Sequence, residues 1–220
     1  LAGMFREAAE WPGAEVVSEG ISGGRAMPAS LSSCAGIMVW AEEAAELDAY
    51  RSLGCPVVVL GQTPQPGFAA VVPDLTAAGR LAAEELLEGG SRSFLYFGET
   101  TDPEGEDALW GGFSAALQTP GWRVERLAFA PQGLTRAQAL LAKRLLDEEG
   151  GRLGVFCSTD AQARFLARLC QKKGVAIPRR LQLVGYGNDP LFCEGGVPRI
   201  YSVDPNPFQQ GRKAVAALRQ

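Results

Sequence analysis

The stretch Gly154 to Asp189, GVFCSTDAQARFLARLCQKKGVAIPRRLQLVGYGND, reads as one strand–helix–strand unit. Leu153, Val155 and Phe156 form a short apolar run that Ser158, Thr159 and Asp160 stop. Phe165, Leu166, Leu169 and Cys170 then recur at helical spacing, with Arg164, Arg168, Gln171 and Lys172 between them. Gly174 falls where a helix end needs positive φ, and Pro178 lies just past it. Leu181, Leu183 and Val184 make a second apolar run, ended by Gly185 to Asp189. A helix between two buried strands is what a right-handed parallel crossover requires. Ligands of open α/β sheets sit at the carboxyl ends of such strands, so Asp160, Asn188 and Asp189 are candidate contacts for a polar small molecule.

Working outward, Leu1, Met4, Phe5 and Ala8 mark an amphipathic helix, Ala14 to Val17 a short strand, and Ile21 to Ser33 a loop. Gly36 to Trp40 and Pro56 to Leu60 read as buried strands, with a helix over Glu42 to Leu53 between them. A Pro-rich connection over Gly61 to Gly67 precedes Val71 and Val72, which extend into Pro73 and Asp74. A helix from Leu75 ends at Gly89 and Gly90, and Phe94 to Phe97 is a strand. Leu109, Trp110, Phe113 and Leu117 are one helix face, Trp122 to Phe129 a strand, and Leu134 to Glu149 a helix. Ile200 to Val203 and Phe208 to Arg219 are the last strand and helix. Strands alternating with helices predict an α/β fold with parallel sheets. Such a fold normally starts with a strand, and none precedes the first helix, so the first strand is expected to be absent.

Two hundred and twenty residues suffice for one large or two small domains with a substantial core. The net charge of −4 suggests no basic patch, hence a poor electrostatic partner for nucleic acid or anionic lipid. No apolar run reaches membrane-spanning length, and no signal-peptide pattern opens the chain. The cysteines at 34, 55, 157, 170 and 193 are scattered, without a CxxC pair, which suits reduced thiols in a cytoplasmic protein and argues against structural zinc. No cofactor motif is present: Gly23-Gly24-Arg25 is not followed by GK[ST], and there is no GxGxxG. The absence of histidine removes Ser-His-Asp and Cys-His chemistry and the common His metal sites, so an enzyme is the least favoured class.

Several stretches, taken in order, resemble the effector-binding domain of LacI/GalR-type regulators, a periplasmic-binding-protein-like fold. They are VVPDLTAAGRLAAEELLEGGSRSFLYFG (71–98), LWGGFSAAL (109–117), FCSTDAQA (156–163), IPRRLQLVGYGND (177–189) and YSVDPNPFQQGRKAVAAL (201–218). STDAQAR, VGYGNDPL and the leading LAGMFREAAEW are similar to the xylose-responsive activator (XylR) type, in which this domain is fused to an AraC-family DNA-binding domain. The resemblance implies two Rossmann-like lobes that clasp a sugar: residues 1–73 plus 204–220, and residues 74–203. It implies chain crossings between lobes near Pro73-Asp74 and Asp204-Pro205, with a third beyond Gln220. It further implies a sugar-sensing domain of a cytoplasmic transcription regulator, reaching DNA only through a domain outside this chain and having no membrane partner, while the sheet edge left open by the absent first strand suggests a homodimer. A solute-binding receptor of a sugar transport system shares the fold and is the alternative.

The family's arginine three residues before the GF pair is Leu109 here, and the first Asp of its GFDD or GIDNE loop is Gly187. The resemblance assigns both positions to sugar hydroxyls, and two strong anchors are therefore missing. The remaining candidates are Trp40, Gln62, Trp110, Asp160, Arg164, Asn188 and Asp189. Trp40 and Trp110 are placed to stack on a sugar ring or to fill a core. Asp160 is placed to bind ligand or to cap the helix after it. Arg164 either pairs with Asp160 across one turn at the surface or serves the ligand site. Asn188 and Asp189, before Pro190, are equally suited to a turn, and Gln62 to a solvated loop.

Overall fold

The apolar runs become parallel strands because both their faces are covered, which is the condition under which such strands lose alternation. In the computed structural model, which describes residues 2–13, 15, 31, 34–41, 44–99, 103–129 and 151–219, the chain divides into two compact units. One comprises Leu1–Pro73 with Asn206–Gln220, the other Asp74–Pro205.

The larger unit holds a five-stranded parallel sheet. Its strands are β4 (Ser93–Glu99), β5 (Arg123–Phe129), β6 (Leu153–Cys157), β7 (Leu181–Tyr186) and β8 (Tyr201–Val203), in the order β5-β4-β6-β7-β8. Residue alternation sends Leu95, Phe97, Leu153, Val155 and Cys157 to one face, where helix α4 (Asp160–Lys172) covers them with Ala163, Leu166 and Cys170. Phe94, Tyr96 and Phe156 go to the other face. There α2 (Leu75–Glu88) and α3 (Pro103–Ala115) supply Ala82, Leu86, Leu109 and Phe113. Phe94, Phe97, Phe113 and Phe156 are wholly buried, each contributing about 1.5–3 kcal/mol by removal from water. Asp74 caps α2 by accepting from the Ala77 amide at 2.8 Å, and Gly174 takes φ +69° after α4, as its position in the sequence requires.

The smaller unit has a three-stranded parallel sheet, β1 (Ile37–Trp40), β2 (Val57–Leu60) and β3 (Ala69–Val71), among the described residues. Helix α6 (Pro207–Leu218) returns from the far end of the chain to pack on α1 (Ala2–Ala8), β2 and β3. Arg212 Nε donates to Glu7 at 2.7 Å across the α1–α6 contact.

Several expectations are corrected. The helix after β1 is a 3-10 helix, Ala44–Ser52, and β1 is not buried at its end, since Trp40 is 57% exposed. Helix α3 begins two turns ahead of the apolar face at Leu109, and a short helix α5 (Pro190–Cys193) follows β7, capped by Asp189. The expected strand at 14–17, the loop at 21–33 apart from residue 31, and the helix at 134–149 lie outside the described residues, apart from residue 15.

Candidate functional site

Polar side chains gather at the carboxyl ends of the larger unit's strands. Ser158 follows β6, its amide held by the Phe97 carbonyl at 3.1 Å, and its hydroxyl donates to Gln162 Oε1 at 3.1 Å. Thr159 is extended (φ −142°, ψ 154°) and caps α4 by accepting from the Gln162 amide. The cap is therefore Thr159 and not Asp160, which starts the helix proper and turns inward, 3% exposed.

Asp160 reaches the loop after β7. Its Oδ2 accepts from the Asp189 amide at 2.8 Å, and its Oδ1 sits against Gly185, where a Cβ would have no room. Asp160 Oδ1 and Gln162 Nε2 are both shielded from solvent and have no hydrogen-bond partner among the described residues. One unmet acceptor and one unmet donor in a single helical turn is unusual, because buried polar groups are nearly always paired.

Gly187 explains the loop. It adopts φ +126°, which side-chain-bearing residues rarely enter, and Asn188 follows in the left-handed region at φ +53°. This pair of conformations turns the chain so that the Asp189 amide meets Asp160 while the Asn188 amide meets the Ser202 hydroxyl at 2.9 Å. Asn188 Nδ2 donates to Asp204 at 3.1 Å, and the Asp189 carboxylate accepts from the Leu191 amide at 2.9 Å. Asp189 is thus a turn and cap residue, as one of the two sequence readings had it.

Arg164 makes no surface pair. It is 3% exposed, and its Nε, Nη1 and Nη2 donate to the carbonyls of Phe192, Pro198 and Cys193 at 2.7, 2.8 and 3.1 Å. Its guanidinium is a strut that holds the 192–198 segment, because that segment turns three carbonyls toward the interior. Burial, followed by the Asp160 carboxylate, pushes the neighbouring Cys193 thiol up to about 11. Burial, with Asp160 and Cys170 behind it, raises the Cys157 thiol well above its ordinary value.

A second cluster adjoins the first through Ser158. The Tyr96 phenol donates to Glu106 Oε2 at 2.5 Å, with both side chains buried. Burial, then the Glu106 carboxylate, drives the phenol's pKa far above its ordinary value, so it stays a donor. Ser158, just past the neighbouring strand β6, acts in the opposite direction on the same phenol. Gly98 has no side chain to occupy the space that Glu106 Oε2 fills. Trp110 is half-buried, edge-on to Tyr96 at 5.8 Å, and Arg126 lies over both rings while bonding Asp107 at 2.6 Å. Leu109, in place of the family's arginine, is 4% exposed and belongs to the core.

The fold brings Asp160, Arg164, Asn188 and Asp189 around one loop and places Trp110 beside Tyr96 and Glu106. Trp40 and Gln62 stand in the other unit at the ends of neighbouring strands, where Trp40 pairs in register with Leu60. Tyr96, Glu106, Ser158 and Gln162 were missed by sequence reasoning. Only Ser158 and Gln162 carried a local signal, flanking Asp160 at a strand end. Among the described residues no cluster of His, Cys, Asp and Glu could hold a metal, and no helix is long and apolar enough to cross a membrane. The arrangement is suited to hydrogen-bonding a neutral polar ligand beside an aromatic wall.

Comparisons with known proteins give a consistent picture. Residues 83–220 match the family model of the periplasmic binding protein-like domain. The chain is 26% identical over 176 residues to the ribose operon repressor of Bacillus subtilis (strain 168), covering 79% of this chain and 52% of that protein. It is 24% identical over 162 residues to the transcriptional repressor PurR of Glaesserella parasuis, covering 70% and 46%. The chain thus spans about half the length of the curated relatives it matches. Among solved structures, a LacI family transcriptional regulator from Enterococcus faecium with bound ribose superposes with a TM-score of 0.68 at 26% identity, over 87% of this chain and 73% of that one. A transcription regulator from Lactobacillus plantarum shares the fold, with a TM-score of 0.69 at 18% identity over 85% and 72%.

Proposed function

The chain belongs to the periplasmic binding protein-like domain family, and on that premise we propose that it is the sugar-sensing domain of a transcription regulator. The likeness to the ribose-bound Enterococcus faecium regulator carries this reading. The site chemistry supports it. A sugar hydroxyl donates and accepts at once, which suits the polar strand end of Ser158, Thr159 and Gln162. The half-buried Trp110 beside Tyr96 offers an apolar wall.

In this reading the regulator is cytoplasmic, is not an enzyme, works as a homodimer, and meets DNA through a domain outside the chain described. The LacI-type repressors among its relatives favour a LacI-type DNA-binding domain. An AraC-type domain, as in the XylR type, rests on the stretches Leu1–Trp11, Ser158–Arg164 and Val184–Leu191 alone. With Leu109 buried and Gly187 serving the turn, xylose binds weakly, and a sugar that uses other hydroxyls binds better.

Calorimetry against ribose, xylose, common hexoses and their derivatives tests the reading. One sugar should bind saturably, and Gln162→Ala should weaken it about tenfold, the worth of one well-made hydrogen bond. A panel without a single binder would overturn it.

A further inference from the structure

The opposite end of the larger unit's sheet holds a second constellation. Ser93 pairs in register with both Arg123 and Leu153, so Arg92, Arg123 and Arg152 enter three adjacent strands, β4, β5 and β6, at one level. With Gly90, Gly121 and Gly151 they line a cavity of about 370 Å³, and among the described residues no carboxylate is in its lining. The sequence separates these arginines by about thirty residues each, which is why an acidic chain of net charge −4 seemed to lack a basic patch. Parallel pairing assembles one.

Among the described residues, each guanidinium is oriented by contacts that take one nitrogen. Arg92 Nη1 donates to the Ser91 carbonyl at 2.7 Å, and the group lies 5.6 Å from the centre of the Trp122 ring. Arg123 Nε meets Glu125 at 2.7 Å, and Arg152 Nε reaches the Arg179 carbonyl at 3.4 Å. A guanidinium carries five N–H donors in a planar fork that matches tetrahedral oxyanions bidentately. Like charges gathered around one hollow repel, and a bound anion removes that cost. Gly90 and Gly121, at φ +87° and +88°, leave the loop backbones bare so that a ligand can approach closely. The volume lies at the small end of ligand sites, too small for more than a compact molecule.

We propose that the amino ends of β4, β5 and β6 form a binding site for a small phosphorylated molecule, held by Arg92, Arg123 and Arg152. The site is independent of the sugar reading, because it uses none of the residues at the carboxyl ends of the strands.

Pyrophosphate is the probe, titrated into the whole chain in phosphate-free buffer of low ionic strength and followed by calorimetry. Saturable one-to-one binding is expected, weakened at least about tenfold in Arg92→Gln/Arg152→Gln, a change of two exposed or half-buried side chains. Protection of all three arginines from phenylglyoxal by pyrophosphate, read by mass spectrometry on the unaltered chain, gives the same answer without a variant. Absence of saturable binding, equal binding by a folded double variant, or no protection would overturn the proposal. So would a duplex DNA that binds through these arginines and that pyrophosphate fails to displace, since the face would then be a nucleic-acid surface.

Discussion

The Tyr96 phenol points its proton at the Glu106 carboxylate, 2.5 Å away, with both side chains out of solvent. The pair joins β4 to the start of α3 and sets the position of Trp110 one turn further on, edge-on to the same ring. A buried carboxylate that loses a donor loses part of what offsets its leaving water. Tyr96→Phe should therefore lower stability by about 1–3 kcal/mol, read as a shift in the urea midpoint. Tyr96→Phe/Glu106→Leu should recover part of that loss, because the buried carboxylate is then gone as well.

Gly187 stands where the family resemblance expects an aspartate, and replacing it tests whether that carboxylate is missing or excluded. At φ +126° a side chain is strained, and a Cβ there would come within 3.2 Å of Asp160 Oδ2. Gly187→Asp should cost about 1–3 kcal/mol in thermal or urea unfolding and should gain no affinity for xylose. A stable Gly187→Asp chain that binds xylose tightly would mean the loop adapts and the anchor had merely been lost.

Arg164 holds three carbonyls with three nitrogens, which a single ammonium cannot imitate. Arg164→Lys should lose about 3 kcal/mol of stability. Amide exchange should speed up over residues 192–198 first, while the α2–α3 face of the sheet stays protected. Equal acceleration on both faces would show a general loss of packing instead.

The strand–helix–strand unit was legible because its signals are local. LGVFC and LQLVGY are short runs, apolar but for Gln182, buried on both faces, and Gly174 marks the helix end between them. Of the candidate residues, Asp160, Asn188 and Asp189 stood out because they follow a strand directly, whereas Trp110 was named beside the GF pair and Arg164 four residues after Asp160. Glu106 looked like any acidic residue in a first helical turn, and its partner Tyr96 like any strand aromatic, since nothing nearby in sequence joins them. Arg164 sits in a run with Arg168 and Lys172 that reads as a solvated face, and its three acceptors come 28 to 34 residues later. The arginines at 92, 123 and 152 become neighbours only through strand pairing. Trp40 misled in the other direction, since an apolar run gives no sign of where its last residue leaves the core.

The buried thiols make stability depend on alkaline pH with a definite sign. Burial lifts the Cys170 thiol from its ordinary 9.0 to about 11, and burial with Asp160 does the same for Cys193. Below the ordinary value both folded and unfolded chains keep these protons, and the thiols' contribution is fully present. Between 9 and 11 the unfolded chain releases its protons first, so it binds fewer than the native chain and stability falls as pH rises. Above about 11 the contribution is gone. Urea unfolding under reducing conditions from pH 8 to 11 should therefore show a declining free energy. The decline should be shallower in Cys170→Ala/Cys193→Ala, which removes these two titrations and leaves every lysine and tyrosine in place. Identical slopes in the two chains would mean that neither thiol is held neutral by the fold.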